Sequence, residues 1–142
     1  MTELVLVAIV AGDRVAFEAA AVESVVDLWQ VVPVPRAPDH LIGLSAVRSR
    51  VVTVVDTAAC VGLRAKQTGN RAIILEDDGH RYALRVDAVL DVVPARRLTA
   101  AHEAPVKAGW SRVVARLVDT EYGFALVLDP RRLLGGAQAI AA

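Results

Sequence analysis

Residues that could support covalent catalysis are few in this sequence. Cys60 is the only cysteine, and together with His102 and Asp56 it could supply a nucleophile, a base and an orienting acid. Such a set works only when the three side chains lie within hydrogen-bond reach, and their spacing gives no sign of that. Cys60 also lies in an Ala-Ala-Cys-Val run that is typical of buried packing. We therefore expect a structural cysteine, no catalytic residue and no enzymatic activity.

A second cluster with possible chemistry surrounds Gly79. Asp77, Asp78 and His80 could ligate a cation, but adjacent acidic residues around a glycine are also the ordinary content of a hairpin turn. With a single cysteine, the chain has no pair of cysteines at the spacing that metal sites use. The sequence therefore predicts a turn at this point, with neither a metal nor another cofactor.

The charge balance restricts the partners of the protein. Sixteen basic and sixteen acidic residues give a formal net charge of zero, so the positive surface that nucleic acids or anionic membranes attract is not expected. The apolar run of 4–10 is much shorter than the roughly 18 residues of a membrane span, and no basic leader precedes it. We expect a cytoplasmic protein with no membrane insertion and no nucleic-acid partner.

Composition favours strands over helices. The chain has 142 residues, of which 55% are hydrophobic and only 4% aromatic, so valine, leucine, alanine and isoleucine must build its core. Valine prefers the pleated surface of a sheet. A chain of this length buries roughly two-thirds of its unfolded surface, enough to fold without disulfides. We predict an all-β protein.

The stretch 41–62 is the centre of this prediction. A strand follows Pro33, Pro35 and Pro38, whose ring geometry restricts them to a connection or a sheet edge. A tight turn through 48–50 precedes the β-branched run 51–55, and a short helical turn is expected from Asp56 to Gly62.

The sequence also contains an internal repeat. The hairpin pattern of 4–19 returns without a gap at 71–86, and the strand pattern of 51–56 returns at 124–129. The polar run 64–70 is the expected boundary between the two copies. Neither copy has enough apolar surface to be stable alone, so we expect the two to share a core.

The order of these motifs resembles the CheW-like domain family. The resemblance covers about residues 4–134. It rests on the following residues: Pro35, Pro38, Leu41-Ile42-Gly43, Val47-Arg48, Asp56, Val61-Gly62-Leu63, Gly79, Val86-Asp87, Val89, Val92, Leu126-Val127-Leu128-Asp129 and Leu133-Leu134.

The resemblance implies two interlocked five-stranded SH3-like β-barrels with short helical turns, which share an apolar core within a single domain spanning 1–142. Subdomain 1 is expected at roughly 15–68 and subdomain 2 at roughly 69–125, with the terminal segments completing the first barrel. It further implies a non-enzymatic adaptor between chemoreceptors, bound by their cytoplasmic tips, and the regulatory domain of a CheA-type histidine kinase. Receptor arrays on the inner face of the membrane would be its location.

Partner contacts are expected around the proline segment and its turn. Arg48 corresponds to the arginine that this family carries in the turn, and Val34, Gly43 and Val47 are further candidates for receptor contact. Arg50 is a weaker candidate, because a charged pair in a connection most often decorates a solvated turn; arginine is nevertheless enriched where binding energy concentrates.

Other interpretations stay open at this level. The same fold could serve a kinase pathway outside chemotaxis, in motility, attachment or development. A small β-barrel enzyme or ligand-binding protein would instead need a polar cavity with a titratable group. Trp29 and Trp110 could each lie in an interface or cover the end of a barrel.

Overall fold

The computed structural model describes residues 2–65, 69–98 and 107–141, and for 136–141 it describes the backbone only. Strands dominate this part of the chain. The strands are β1 (Thr2–Val10), β2 (Asp13–Glu18), β3 (Val22–Asp27), β4 (Leu41–Val47), β5 (Arg50–Asp56), β6 (Arg71–Asp77), β7 (His80–Arg85), β8 (Ala88–Arg97), β9 (Val114–Thr120) and β10 (Gly123–Leu128). The helices are α1 (Thr57–Cys60), α2 (Ala108–Ser111) and α3 (Pro130–Ala141).

Two aspartates start helices after strands, Asp56 as predicted and Asp129 at the equivalent position of the repeat. The Ala59 amide donates to Asp56 Oδ1 at 3.4 Å at the start of α1, and the Arg131 amide donates to Asp129 Oδ1 at 3.0 Å at the start of α3. Gly62 follows α1 with a φ of 75°, in the left-handed region that glycine adopts without strain.

The strands form two five-stranded sheets. The first is a closed barrel in the order β1-β2-β10-β9-β8, and the second has the order β3-β6-β7-β5-β4. Among the described residues, the edges of the second sheet meet at one bridge, between Val32 and Leu44. The predicted all-β architecture of two five-stranded units is therefore confirmed, with one unit closed along a strand pair and the other closed at a single point.

The internal repeat is confirmed at the level of strands. The match of 4–19 with 71–86 places β2 on β7, and the match of 51–56 with 124–129, extended back along the chain, places β4 on β9. Each sheet also contains one parallel pair, β2 with β10 in the first barrel and β5 with β7 in the second sheet. The equivalent strands therefore occupy equivalent positions in the two sheets.

The sheets cut across the repeat, because each takes strands from both copies. The second sheet is one uninterrupted segment, 22–85, inserted between β2 and β8 of the first barrel. The polar run 64–70 consequently connects two strands of the same sheet, and neither 15–68 nor 69–125 corresponds to one sheet. At the return connection, the Val86 amide donates to Arg71 O of the second sheet and the Asp87 amide to Ile9 O of the first barrel.

The shared core lies between the sheets. It combines Leu6, Val15 and Phe17 of the first barrel with Tyr82 and Leu84 of the second sheet, all of them almost fully buried. Each sheet also encloses a smaller apolar cluster, centred on Val5 and Val7 in one case and on Val52 and Val54 in the other. The two faces of β5 are therefore both buried from Val52 to Val55, which explains the consecutive β-branched residues of that stretch.

Helix α2 is fastened over this core by Trp110. Its side chain is 1% exposed, and its Nε1 donates to Asp13 Oδ2 at 2.8 Å. Lys107 Nζ lies 3.0 Å from the same carboxylate oxygen. Trp110 thus covers the core, whereas Trp29 is 86% exposed, so an interface role stays a prediction for Trp29 alone.

An ion-pair network ties three strands of the first barrel together. Arg116 on β9 donates to Glu3 on β1 and, at 2.9 Å, to Glu18 on β2. The hydrogen bonds from Arg116, together with its positive charge and that of Arg97, hold the pKa of Glu3 below its usual range despite partial burial. The network therefore stabilises the folded state only while Glu3 is ionised.

We expect Glu3→Gln to flatten the acid side of the stability profile. Since the folded pKa of Glu3 is lowered, its contribution is fully present above the ordinary glutamate pKa of about 4.3 and is lost as the pH falls through the folded value. Urea unfolding of both proteins between about pH 3 and 7 should show the largest difference near neutrality. In an Arg116→Met background the pH-dependent effect of the same substitution should be much smaller, because only the weaker attraction from Arg97 remains, and an unchanged difference there would contradict the assignment.

Candidate partner-binding site

The β4–β5 turn displays two arginines. Val47 pairs with Arg50 across a two-residue turn in which Arg48 and Ser49 have φ values of 50° and 66°. Non-glycine residues occupy this left-handed region at a cost of about 1–2 kcal/mol each, and such strain often occurs where function requires it. Arg48 and Arg50 are both exposed here.

Beside this turn lies the place where the second sheet closes, which we call the seam. The Val32 amide donates to Leu44 O at 2.8 Å, and the Leu44 amide donates to Val32 O at 2.9 Å. The Ser45 hydroxyl adds a hydrogen bond to Gln30 O at 2.6 Å. The segment that follows β3 is thus attached to β4 over a very short length.

Between the seam and the turn, the sheet edges separate into a cleft. Its volume is about 540 Å³, and its walls are formed by 26–30 on one side and 45–48 on the other. Trp29 stands at its margin with its ring exposed. We call this feature the seam cleft.

The five residues predicted for partner contact occupy four different environments. Val47 and Arg48 line the seam cleft, and Arg50 lies on the adjoining turn. Gly43 is buried at the seam, and Val34 is half-buried in the proline segment beyond it. The structure therefore brings Val47, Arg48 and Arg50 together, whereas Gly43 is buried at the seam and supports the closure of the sheet.

Gly43 has a steric role that we expect to be visible in stability. A Cβ at this position would overlap with the carbonyl oxygen of Val32, so Gly43→Ala must force the seam apart. Overpacking of this kind costs typically about 1–3 kcal/mol, which urea unfolding would detect. Gly69→Ala is the matched control, because the nearest atom to its added methyl is 4.0 Å away. Equal stability of Gly43→Ala and the wild type would contradict this role.

A second exposed surface was not predicted from the sequence. Leu4 on β1 and Val92 on β8 are 58% and 48% exposed, and Pro94 beside them is also exposed. Leu4 pairs with Pro94, and Val92 pairs with Leu6, which belongs to the shared core. These three residues, which we call the rim patch, extend the shared core to the surface. The sequences around them, 4–6 and 92–94, are apolar at consecutive positions, as in a strand that is buried on both faces, so no local pattern signals their exposure.

The electrostatics near the turn are dominated by one ion pair. Arg81 Nε lies 2.9 Å from Glu23 Oε2. The hydrogen bonds from Arg81, with smaller contributions from the charges of Arg50 and Arg48, hold the pKa of Glu23 below its usual range. The β4–β5 turn and the start of β3 are therefore electrostatically coupled.

The described residues that were considered for chemistry have structural surroundings. Burial, with a smaller contribution from the charge of Asp56, raises the pKa of Cys60 to about 12, so its thiol is protonated at neutral pH. Asp77 Oδ1 accepts a hydrogen bond from Arg131, and His80 Nε2 lies 2.7 Å from Thr53 Oγ1. Within the described ranges no three potential ligands are grouped to hold a metal ion, and His102 lies outside those ranges.

The described helices are all too short or too polar to cross a membrane.

Comparison with known proteins identifies a family. The CheW-like domain matches residues 4–138. Among solved structures, the fold is similar to the scaffolding protein TtCheW from Thermoanaerobacter tengcongensis, with a TM-score of 0.76 and 21% sequence identity over 91% of this chain and 90% of that one. No curated protein sequence matches the chain significantly.

Proposed function

We propose that this chain, which belongs to the CheW-like domain family, is a non-enzymatic scaffolding adaptor that couples chemoreceptors to a CheA-type histidine kinase. The observation that carries the proposal is the presence of two separate exposed surfaces, the turn with the seam cleft on the second sheet and the rim patch on the first barrel. A protein with two such surfaces can bind two partners at once and so raise their effective concentration for each other.

The rim patch suits the helical tip of a receptor. An amphipathic helix binds by laying its apolar face against a hydrophobic groove, and Leu4 and Val92 provide apolar surface at the junction of the two sheets. The sequence analysis suggests a different receptor site, at the β4–β5 turn. Its candidate residues are Val34, Gly43, Val47 and Arg48. A substitution in each surface separates the two assignments.

The regulatory domain of the kinase would then bind the other surface, which is the β4–β5 turn with the seam cleft. The turn carries Arg48 and Arg50 beside the seam cleft, and arginine is among the residue types enriched in interface hot spots. The location that this role requires is the cytoplasmic side of the membrane, at receptor arrays. The protonated Cys60 thiol supports the absence of nucleophilic catalysis from this role.

The test is a calorimetric titration of the protein with the kinase regulatory domain, followed by a receptor-tip fragment. We expect saturable binding of both in the micromolar range or tighter, which corresponds to about −8 kcal/mol or better. Val92→Glu should weaken the receptor step by about tenfold or more, since it places a charge in the apolar contact. Arg48→Ala should weaken binding of the kinase regulatory domain by a similar factor.

A matched control keeps the result specific. Tyr122→Ala alters the turn between β9 and β10, which the repeat makes equivalent to the Arg48 turn, and should leave both steps unchanged. Failure of the wild-type protein to bind either partner would contradict the adaptor role. Loss of receptor binding in Arg48→Ala but not in Val92→Glu would move the receptor to the turn.

A further inference from the structure

We propose that the seam cleft binds one extended segment of a partner protein, with the segment's backbone along the open edge of β4 and an acidic side chain of the segment on Arg48. The inference rests on the proposed adaptor function, because it specifies the chemistry of a partner at one of the two surfaces. The supporting observation is a difference between the two sheets at equivalent positions of the repeat, where the first barrel closes and the second sheet does not.

The first barrel closes where the second sheet stays open. In the first barrel Arg96 pairs with Asp119 and Arg97 with Val118, and the Leu98 amide donates to Leu117 O at 3.0 Å. The repeat makes Trp29, Gln30 and Val31 equivalent to 96–98, and Leu44, Ser45 and Ala46 equivalent to 117–119. Among the described residues, the second sheet forms neither of the two strand pairs at these positions.

A shift of one residue accounts for the opening. Leu44 bonds with Val32, although the repeat would match it with Val31. The segment after β3 therefore accommodates one additional residue, and the Ser45 hydroxyl, not a backbone amide, satisfies Gln30 O. Trp29 and Ala46, whose equivalents pair in the first barrel, are separated by the cleft.

The edge of β4 at the cleft is suited to another strand. Backbone groups of alternate residues point to opposite sides of a strand. Since Val47 pairs with Arg50 across the turn and Leu44 bonds across the seam, the amide and carbonyl of Ala46 face the cleft. An extended peptide can add to such an edge, with backbone hydrogen bonds supplying affinity and side-chain pockets supplying specificity.

The cleft walls determine the side chains of that segment. Arg48 lines the open end with Arg50 beside it, whereas Asp27 on the opposite wall lies 3.4 Å from Arg71. The charge available to a ligand at this end is therefore positive, which favours a carboxylate. The exposed Trp29 ring offers apolar surface to a neighbouring aromatic or aliphatic side chain. A volume of about 540 Å³ accommodates a few side chains.

The test uses a short synthetic peptide that alternates glutamate with valine and phenylalanine, and a second peptide with lysine in place of glutamate. Because Trp110 is buried, a shift of tryptophan emission to shorter wavelength on titration would report on Trp29. We expect saturable binding of the acidic peptide with this shift, and binding of the lysine peptide at least about tenfold weaker, equivalent to about 1.4 kcal/mol. Arg48→Glu should reverse the preference, and Trp29→Phe should abolish the shift.

Two controls make the outcomes decisive. Arg96→Ala, at the closed position of the first barrel, should leave peptide binding unchanged, and urea midpoints should show that each variant is folded. Equal binding of the two peptides, or binding of neither up to millimolar concentration, would overturn the inference. Titrations with the kinase domain and the receptor fragment on the same protein distinguish the proposals, since failure of either titration contradicts the adaptor role, whereas the peptide results alone decide the strand-binding inference.

Discussion

A fragment of residues 70–142 is expected to show no cooperative unfolding transition of its own. It contains β6 to β10, so it lacks two of the five strands of the first barrel and three of the five strands of the second sheet. The strands that remain would expose Tyr82 and Leu84, which the shared core covers in the intact chain. The missing strands remove the whole free energy of folding, which for a domain of this size is about 5–15 kcal/mol.

Urea denaturation followed by circular dichroism tests this expectation. The matched control is a mixture with the fragment of residues 1–69, which should restore the sigmoidal transition because it supplies the missing strands. A sigmoidal transition of 70–142 alone, independent of its concentration, would contradict the strand exchange. A midpoint that rises with concentration would show two fragments supplying strands to each other.

Trp110→Ala is expected to be the most damaging single substitution. Truncation of a fully buried tryptophan costs typically about 3–5 kcal/mol, because apolar contacts are lost and a cavity remains. It also removes the Nε1 donor from Asp13, which fastens α2 over the core. The free energy of unfolding from urea titrations should fall accordingly, and the midpoint should decrease without a change in cooperativity.

The chain contains a matched control for this substitution. Trp29→Ala removes the same side chain at a site that is 86% exposed and should change stability by no more than about 0.5 kcal/mol. Trp110→Phe retains most of the apolar volume and isolates the loss of the hydrogen bond to a carboxylate, about 1.5–3 kcal/mol. Similar losses for Trp29→Ala and Trp110→Ala would refute the different roles of the two residues.

Local patterns were sufficient to predict the repeat and most of the strands, but not β3, β8 and β9. The valine run of β5 and the aspartates that start α1 and α3 follow from intrinsic preferences and spacing. The distribution of the strands between the sheets could not be predicted in this way. A repeat at the same spacing would arise whether each copy folded on itself or exchanged strands, since the contacts that decide between the two join distant parts of the chain.

The candidate site shows the same division. An exposed arginine turn between two apolar strands could be predicted, and Arg48 and Arg50 lie there. The burial of Gly43 depends on the Val32 backbone, and the burial of Trp110 depends on Asp13, which is 97 positions away. The seam cleft depends on a shift of one residue at a closure that no local pattern specifies.

The insertion of the second sheet into the first barrel has a mechanical consequence. A domain on one connector can swing, but this one is attached at two points, through 19–21 and through the short return at Val86 and Asp87. A force applied at the Arg48 turn would then act on both connections and on the shared core between the sheets. We therefore expect the second sheet and the first barrel to move together as one rigid body when a partner displaces either surface.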